Sequence, residues 1–395
     1  AWMAMAAYCG IYIGLFAAIL SSVLPDPPNA GDASAPSQLQ LRRIVLVLLT
    51  PIIWVGCEYI RALLFTGFPW NVLGVSQYRN IAILQVASWG GAYAVSGIIV
   101  LLSAAIAVTI LRIGSELRQR KRRRVHFELM LGLVAVALCW SWGVRSVRRA
   151  DRTPDHSPRV RIAAVQPYIQ QEQKWSEAFR EGAYQALEEQ TALALLSRPA
   201  LVIWPETAVP DLLRVDPRAQ EVVGSLVSSN TMLLVGTMDF EQFDEEVFYY
   251  NGSFLVGESG DVLGSYHKRH LVPFGEYIPF ENQISVIKRL APLGFSCMPG
   301  GAYSLMELPV GDAESGQSAL FSDLICFEDV FPYLARQDVR AGARFLVNQT
   351  NDAWFEGSAA SRQHMANAVF RAVENRVPLV RCANTGVTCF VDRFG

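Results

Sequence analysis

The chain has 395 residues, 51% of them hydrophobic and 18% charged, with a formal net charge of −2. That length exceeds one ordinary domain and that apolar share exceeds a typical soluble protein, so a membrane-embedded part is expected. The near-neutral balance, with basic residues gathered in a few loops and no long basic face, excludes nucleic-acid binding as the main role.

Four apolar segments, about 2–24, 44–65, 91–113 and 127–144, are each long enough to cross a bilayer core of ~30 Å at roughly 20 residues per crossing. The chain opens inside the run AWMAMAAYCGIYIGLFAAIL with no basic leader or cleavage site, which reads as a fragment beginning within a membrane domain and not as a signal peptide. Pro25, Pro27, Pro28 and Pro36 are expected to break the helix between the first two spans. Arg42, Arg43, Arg112, Arg118, Arg120, Lys121, Arg122, Arg123 and Arg124 fall on one side, nine against six on the other (Arg79, Arg145, Arg148, Arg149, Arg152 and Arg159). The positive-inside bias therefore puts everything beyond residue 145 outside the cytoplasm. Within the second span, Glu58 and Arg61 lie on one helix face. Charges at bilayer depth cost roughly 2.5–3.5 kcal/mol each, so these two are expected to pair or to line a polar cavity. The following TGFPWNVLGVSQ (66–77) sets Phe68 and Trp70 at the membrane edge.

Residues 1–144 thus read as a transmembrane helical domain, 145–159 as a linker and 160–395 as an α/β domain. In the last, VRIAAVQ (160–166), ALVIWPE (200–206), TMLLVGT (231–237), YNGSFLVG (250–257), ALFSDLICFE (319–328), ARFLVNQT (343–350), PLVRCANTG (378–386) and VTCFVDRFG (387–395) read as strands. Trp175, Phe179, Ala183 and Leu187 recur at helical spacing, and a further helix is expected over 359–376. Strands interleaved with helices predict a layered α/β sandwich.

Three reactive side chains stand in comparable places. Glu206 follows the strand LVIW, Lys268 lies in SYHKRHLVPFGEYIP, and Cys326 ends the apolar run of FSDLICFEDVFP. Side chains at the carboxyl ends of neighbouring strands converge in space. A free thiol is a few per cent thiolate at neutral pH, so a nucleophilic Cys326 needs a base or a nearby cation, and a Glu and a Lys supply both. His267 and His270 flank Lys268 and offer a competing Cys–His pair. Of the other cysteines, Cys9, Cys57 and Cys139 lie in spans, Cys297 in a loop, and Cys382 and Cys389 on strands, with no metal-ligand spacing.

IWPE (203–206), YHKRHLVPFGEY (266–277) and ICFE (325–328) resemble the Glu-Lys-Cys signatures of the nitrilase, or carbon-nitrogen hydrolase, superfamily. The match is closer to the apolipoprotein N-acyltransferase family through EYIR…TGFPW…LG (58–74), HLVPFGEYIP (270–279), NDAWF (351–355), QH (363–364) and RAVEN (371–375). The resemblance implies a polytopic α-helical membrane domain plus an α-β-β-α nitrilase-like sandwich, in a fragment lacking the first and last membrane helices of the family. It implies Glu206 as base, Lys268 as oxyanion stabiliser and Cys326 as nucleophile, supported by Glu276, which orients Lys268, by the N–H of Phe327, which stands where the family usually has Tyr, and by Glu328, whose role it leaves open. Trp175, Leu293 and Phe295 are the expected lipid contacts, the last two in an apolar arm over 287–300 that also carries Leu290, Pro292 and Met298. The implied reaction takes an acyl chain from a phospholipid onto Cys326 as a thioester and passes it to the α-amine of a diacylated apolipoprotein. It implies a monomer in the bacterial cytoplasmic membrane, with no metal or organic cofactor. A membrane-anchored amidase or nitrilase would use the same three residues on a small amide or nitrile.

Overall fold

The computed structural model describes residues 2–23, 35–118, 125–152, 159–174, 177–227, 230–279, 296–310 and 317–395. The chain divides into two compact units, Ala1–Pro154 with Phe394–Gly395, and Asp155–Arg393.

The first unit is helical: α1 (Trp2–Val23), α2 (Ala35–Arg61), the single turn α3 (Ile81–Leu84), α4 (Ala87–Arg118) and α5 (Phe127–Arg152). Among the described residues, α1, α2, α4 and α5 are long and apolar enough to cross a membrane. Helices α2, α4 and α5 outrun the apolar runs at one end or both, while α2 stops at Arg61, short of the expected 65. Helix α2 starts nine residues before the expected second span, with Pro36 in its first turn, where a proline costs no internal hydrogen bond. Helix α5 continues through the arginine-rich RSVRRADR, so half of the expected linker is helix.

Two polar arrangements sit inside this unit. Arg112 of α4 donates to both Glu128 oxygens of α5 at 3.1 Å and to Gln40 of α2 at 3.1 Å, tying three helices at one end. At the opposite end of α2, Glu58 accepts the Leu73 N–H at 2.7 Å and so holds the TGFPWNVLG segment. Glu58 and Arg61 line one cavity of about 170 Å³ with Trp54 and Asn71.

The second unit contains two five-stranded sheets. The first runs β1 (Ile162–Ala164), β2 (Leu201–Ile203), β3 (Met232–Phe243), β4 (Glu246–Val256) and β5 (Val262–His267) in that spatial order. Strands β1, β2 and β3 are parallel, and β4 and β5 follow as antiparallel neighbours. The second sheet has the order β10 (Cys389–Val391), β9 (Leu379–Ala383), β8 (Phe345–Thr350), β7 (Ser318–Ile325), β6 (Met306–Pro309), with β7, β8 and β9 parallel.

Alternation along the strands builds the layers. Leu201, Ile203 and Leu234 of the first sheet meet Phe321, Ile325, Val347 and Val380 of the second. The alternate residues Val202, Trp204, Leu233 and Val235 face outward onto Tyr184 and Leu187 of α7 (Arg180–Leu195) and Val222 and Val223 of α8 (Pro217–Leu226). Helices α9 (Pro332–Ala341) and α10 (Ala360–Asn375) pack on the second sheet. The result is the expected α-β-β-α sandwich. Strands β5 and β6 and helices α8 and α9 lie outside the elements read from sequence, and a single turn, α6 (Gln171–Lys174), precedes α7.

Candidate active site

Each of the three candidate side chains follows the end of a strand, and the three strands come from both sheets. Glu206 lies just beyond β2 and Lys268 directly after β5, both in the first sheet, while Cys326 follows β7 in the second. Convergence is therefore across the sandwich, not along one sheet edge as the strand-end argument alone would place it.

The Glu206 carboxylate is fixed by three donors. One oxygen accepts from Asn251 Nδ2 at 2.8 Å and Lys268 Nζ at 3.3 Å; the other accepts the Asn351 N–H at 2.9 Å. Lys268, 1% exposed, donates to Glu276 at 2.9 Å. Asn251 bridges the two carboxylates, since its Nδ2 also lies 2.8 Å from Glu276, and the second Glu276 oxygen takes the Val272 N–H at 2.8 Å. The Cys326 thiol lies close enough to Glu206 and Thr350 for both to act on its proton affinity.

The charges of these groups follow from their surroundings. Burial disfavours the Glu206 carboxylate, but Lys268, Lys174 and the Asn251 amide outweigh it and hold the carboxyl below its usual range. Burial likewise opposes the Lys268 ammonium, and Glu276 and Glu206 override it, so the lysine stays cationic. Burial and the adjacent Glu206 charge push the Cys326 thiol well up. The resting site therefore holds a neutral thiol beside an ionised carboxylate and an ammonium. Such a thiol becomes a nucleophile only as the carboxylate takes its proton.

Cys326 opens a short 3-10 turn, Cys326–Val330, with φ +52°, left-handed backbone that a non-glycine residue adopts only when its surroundings enforce it. Two sets of contacts enforce it here. Glu328, fully buried, accepts the Ile325 N–H at 2.8 Å, the Arg269 N–H at 2.7 Å, the His270 N–H at 3.0 Å and the Tyr266 hydroxyl at 2.7 Å. Beneath the turn, the Cys326 carbonyl accepts from His364 Nε2 at 3.2 Å. His364 is itself set between Asp352 at 2.8 Å and Asp329 at 3.1 Å, and Arg381 binds both aspartates.

A family model described as Carbon-nitrogen hydrolase matches residues 161–395, and one described as Apolipoprotein N-acyltransferase N-terminal domain matches residues 1–105. A protein named apolipoprotein N-acyltransferase from Chlorobaculum tepidum is 31% identical over the whole of this chain, which covers 75% of that relative. The chain belongs to the apolipoprotein N-acyltransferase family. Relatives of the same name from Geobacter metallireducens and Brucella melitensis are 38% and 32% identical over 90% and 86% of the chain. The chain spans 66% and 62% of their lengths, just under two thirds. Among solved structures, Saccharomyces cerevisiae Nit3 of the nitrilase superfamily overlaps 60% of this chain and 84% of its own at 19% identity and a TM-score of 0.41.

Of the residues expected from the apolipoprotein N-acyltransferase motifs, Glu206, Lys268, Glu276 and Cys326 come together, with Phe327 and Glu328 in the same turn. Phe327 is buried against Phe331 at 5.1 Å between ring centres. Trp175, Leu293 and Phe295 lie outside the described residues, as does the 287–300 arm apart from Ser296–Gly300. The histidines of the competing pair are engaged elsewhere: His267 binds Asp239 at 2.7 Å and stacks on Tyr250, and His270 packs on Phe331 and meets the Tyr333 hydroxyl at 3.1 Å. The histidine that does reach Cys326, His364, touches its carbonyl. Asn251, Lys174, Asn351 and His364 are site residues that the sequence reading assigned no role.

Proposed function

We propose that the chain is an N-acyltransferase that moves an acyl chain from a phospholipid to the α-amine of a lipoprotein's N-terminal diacylglyceryl-cysteine, through a thioester on Cys326. The observation that carries this reading is the neutral Cys326 thiol set beside an ionised Glu206 that Lys268 meets at 3.3 Å, in a chain whose first 105 residues match the apolipoprotein N-acyltransferase N-terminal domain. Residues 1–144 are the membrane domain, 145–159 the connection and 160–395 the catalytic domain. The catalytic domain faces away from the cytoplasm of the bacterial inner membrane, and the chain acts as a monomer.

In the first half-reaction Glu206 takes the thiol proton as sulfur attacks the ester carbonyl carbon. The oxyanion that forms is stabilised by Lys268 and the Phe327 N–H. Collapse breaks the ester C–O bond, and Glu206 returns the proton to the leaving alkoxide, releasing lysophospholipid. In the second half-reaction the acceptor amine attacks the thioester carbonyl and Glu206 receives the amine proton. The C–S bond then breaks, the amide forms and the proton returns to the Cys326 sulfur. Glu276 keeps Lys268 charged and aimed, and Trp175, Leu293 and Phe295 contact lipid.

Incubating the chain with phospholipid and no amine acceptor should give a fatty-acyl adduct on Cys326, seen by intact mass and removed by hydroxylamine. Cys326→Ala should show none. Glu206→Gln should form it ~10²–10⁴-fold more slowly, and a diacylated lipopeptide with a free amine should discharge it. Absence of the adduct together with hydrolysis of small amides would replace this reading with the amidase one.

A further inference from the structure

Glu206 is followed by Thr207, whose φ of +42° is a left-handed conformation that a β-branched side chain resists. A strained turn next to a catalytic base persists only if something holds it. Lys174, at the end of the single turn Gln171–Lys174 and 7% exposed, donates to the Glu206 carbonyl at 3.0 Å and also to the Thr207 hydroxyl. The same turn reaches the other end of Glu206: Gln171 accepts from Asn351 Nδ2 at 2.9 Å, and the Asn351 N–H binds the Glu206 carboxylate at 2.9 Å.

We propose that Lys174 is a positioning residue for Glu206, its ammonium pinning the left-handed Glu206–Thr207 turn and setting the charge balance around the base. The inference rests on the reading of Glu206 as the base. The titratable and charged groups facing the carboxylate are Lys268 after β5, Lys174 from α6 and the Cys326 thiol after β7, with Glu276 on the far side of Lys268. Two cations therefore hold Glu206 ionised. Lys268 is also bound by Glu276, and Lys174 is held against the turn through the Glu206 carbonyl and the Thr207 hydroxyl, from where its charge acts on Glu206. Burial brings the Lys174 ammonium down to about 8, so it carries its charge at neutral pH by a small margin.

The test is the rate at which iodoacetamide alkylates Cys326 in the full chain in detergent, followed at that residue by peptide mass spectrometry across pH. This readout needs no lipid substrate. Lys174→Met should slow alkylation ~10–10²-fold, as loss of alignment does, and should move the acid limb of the profile to higher pH, because removing a cation lets the Glu206 carboxyl rise. Thr207→Gly in the Lys174→Met background should recover most of the rate, since glycine holds φ +42° without strain, and should leave the limb shifted. Lys174→Gln, which keeps a donor and drops the charge, should show the limb shift with a smaller loss of rate, and decides the matter if Lys174→Met does not fold. A slow Glu206→Gln beside a Lys174→Met of wild-type rate and limb would overturn the inference and leave the base standing. A slow Lys174→Met with an unmoved limb and no recovery by Thr207→Gly would reduce Lys174 to packing. A Glu206→Gln as fast as wild type would remove the base assignment, and this inference with it.

Discussion

Glu328, two residues past Cys326, binds the main-chain N–H of Arg269, next to Lys268, at 2.7 Å. One buried carboxylate thus joins the turn that carries the thiol to the loop that carries the cation. Burial raises the Glu328 carboxyl, and the donors that converge on it from Ile325, Arg269 and Tyr266 work the other way. Glu328→Gln keeps one acceptor oxygen and turns the other into a donor facing donors. The expected outcome is a loss of about 1–3 kcal/mol in stability with a parallel fall in Cys326 alkylation rate, checked by thermal unfolding in detergent and by the alkylation assay. Unchanged stability and rate would show that the carboxylate does not join the two segments.

A second expectation concerns Gly236 on β3. A Cβ there would meet the Pro205 carbonyl oxygen at 2.1 Å and the Thr207 nitrogen at 2.9 Å, both main-chain atoms of the turn that bears Glu206. Gly236→Ala has to push that turn off the strand. Acylation of Cys326 should fall ~10²-fold or more, as for a misplaced catalytic group. An alanine variant that acylates at the wild-type rate would mean the turn tolerates the shift.

His364 gives a pH dependence with a definite sign. Burial opposes its protonation, but Asp329 and Asp352 outweigh burial and bring its value up to about 9, above the ordinary 6.5. The imidazolium therefore stabilises the fold fully below about pH 6.5, and that contribution is lost as pH rises through about 9. Melting temperatures of wild type and His364→Gln should differ most on the acid side of this window and approach each other on the alkaline side. A difference that grows with pH would contradict the charged form.

The orientation proposed from the nine-to-six distribution of Lys and Arg has its own check. A reporter that works only after export, fused behind residue 160, should be active, and one that works only in the cytoplasm should be silent. The opposite pair of outcomes inverts the topology.

The strand-end carboxylate, the Lys loop and the cysteine were legible because each sits in a motif whose neighbours are as distinctive as the residue. The two-layer fold was legible because Leu201 to Trp204 and Phe345 to Val347 are apolar on both faces. Strand β5, by contrast, runs through VLGSYH at a sheet edge with only Tyr266 buried, and β6 is the four residues MELP, too short to show a period. The membrane helices were placed correctly, but their ends were not. Apolar runs report where lipid would be, whereas RIGSELR in α4 and RSVRRADR in α5 stay helical beyond the apolar run. Asn251 and Lys174 were not legible at all, and His364 entered only as part of the QH motif with no role: a polar residue on a strand or helix reads alike in sequence whether it meets water or a buried carboxylate.

The placing of Glu206 and Lys268 on one sheet and Cys326 on the other also bears on how the chain is made. The first sheet is complete at His267, while the second closes only with Val391. During synthesis the carboxylate and ammonium exist before the thiol has been translated, and the thiol, once made, meets neither until the two sheets dock. If Cys326 is the nucleophile proposed above, its reactivity is thus a property of the finished sandwich. On the proposed reading, a nascent or half-folded chain carries an ordinary cysteine, and Cys326 takes up no acyl chain before the remainder of the domain is in place.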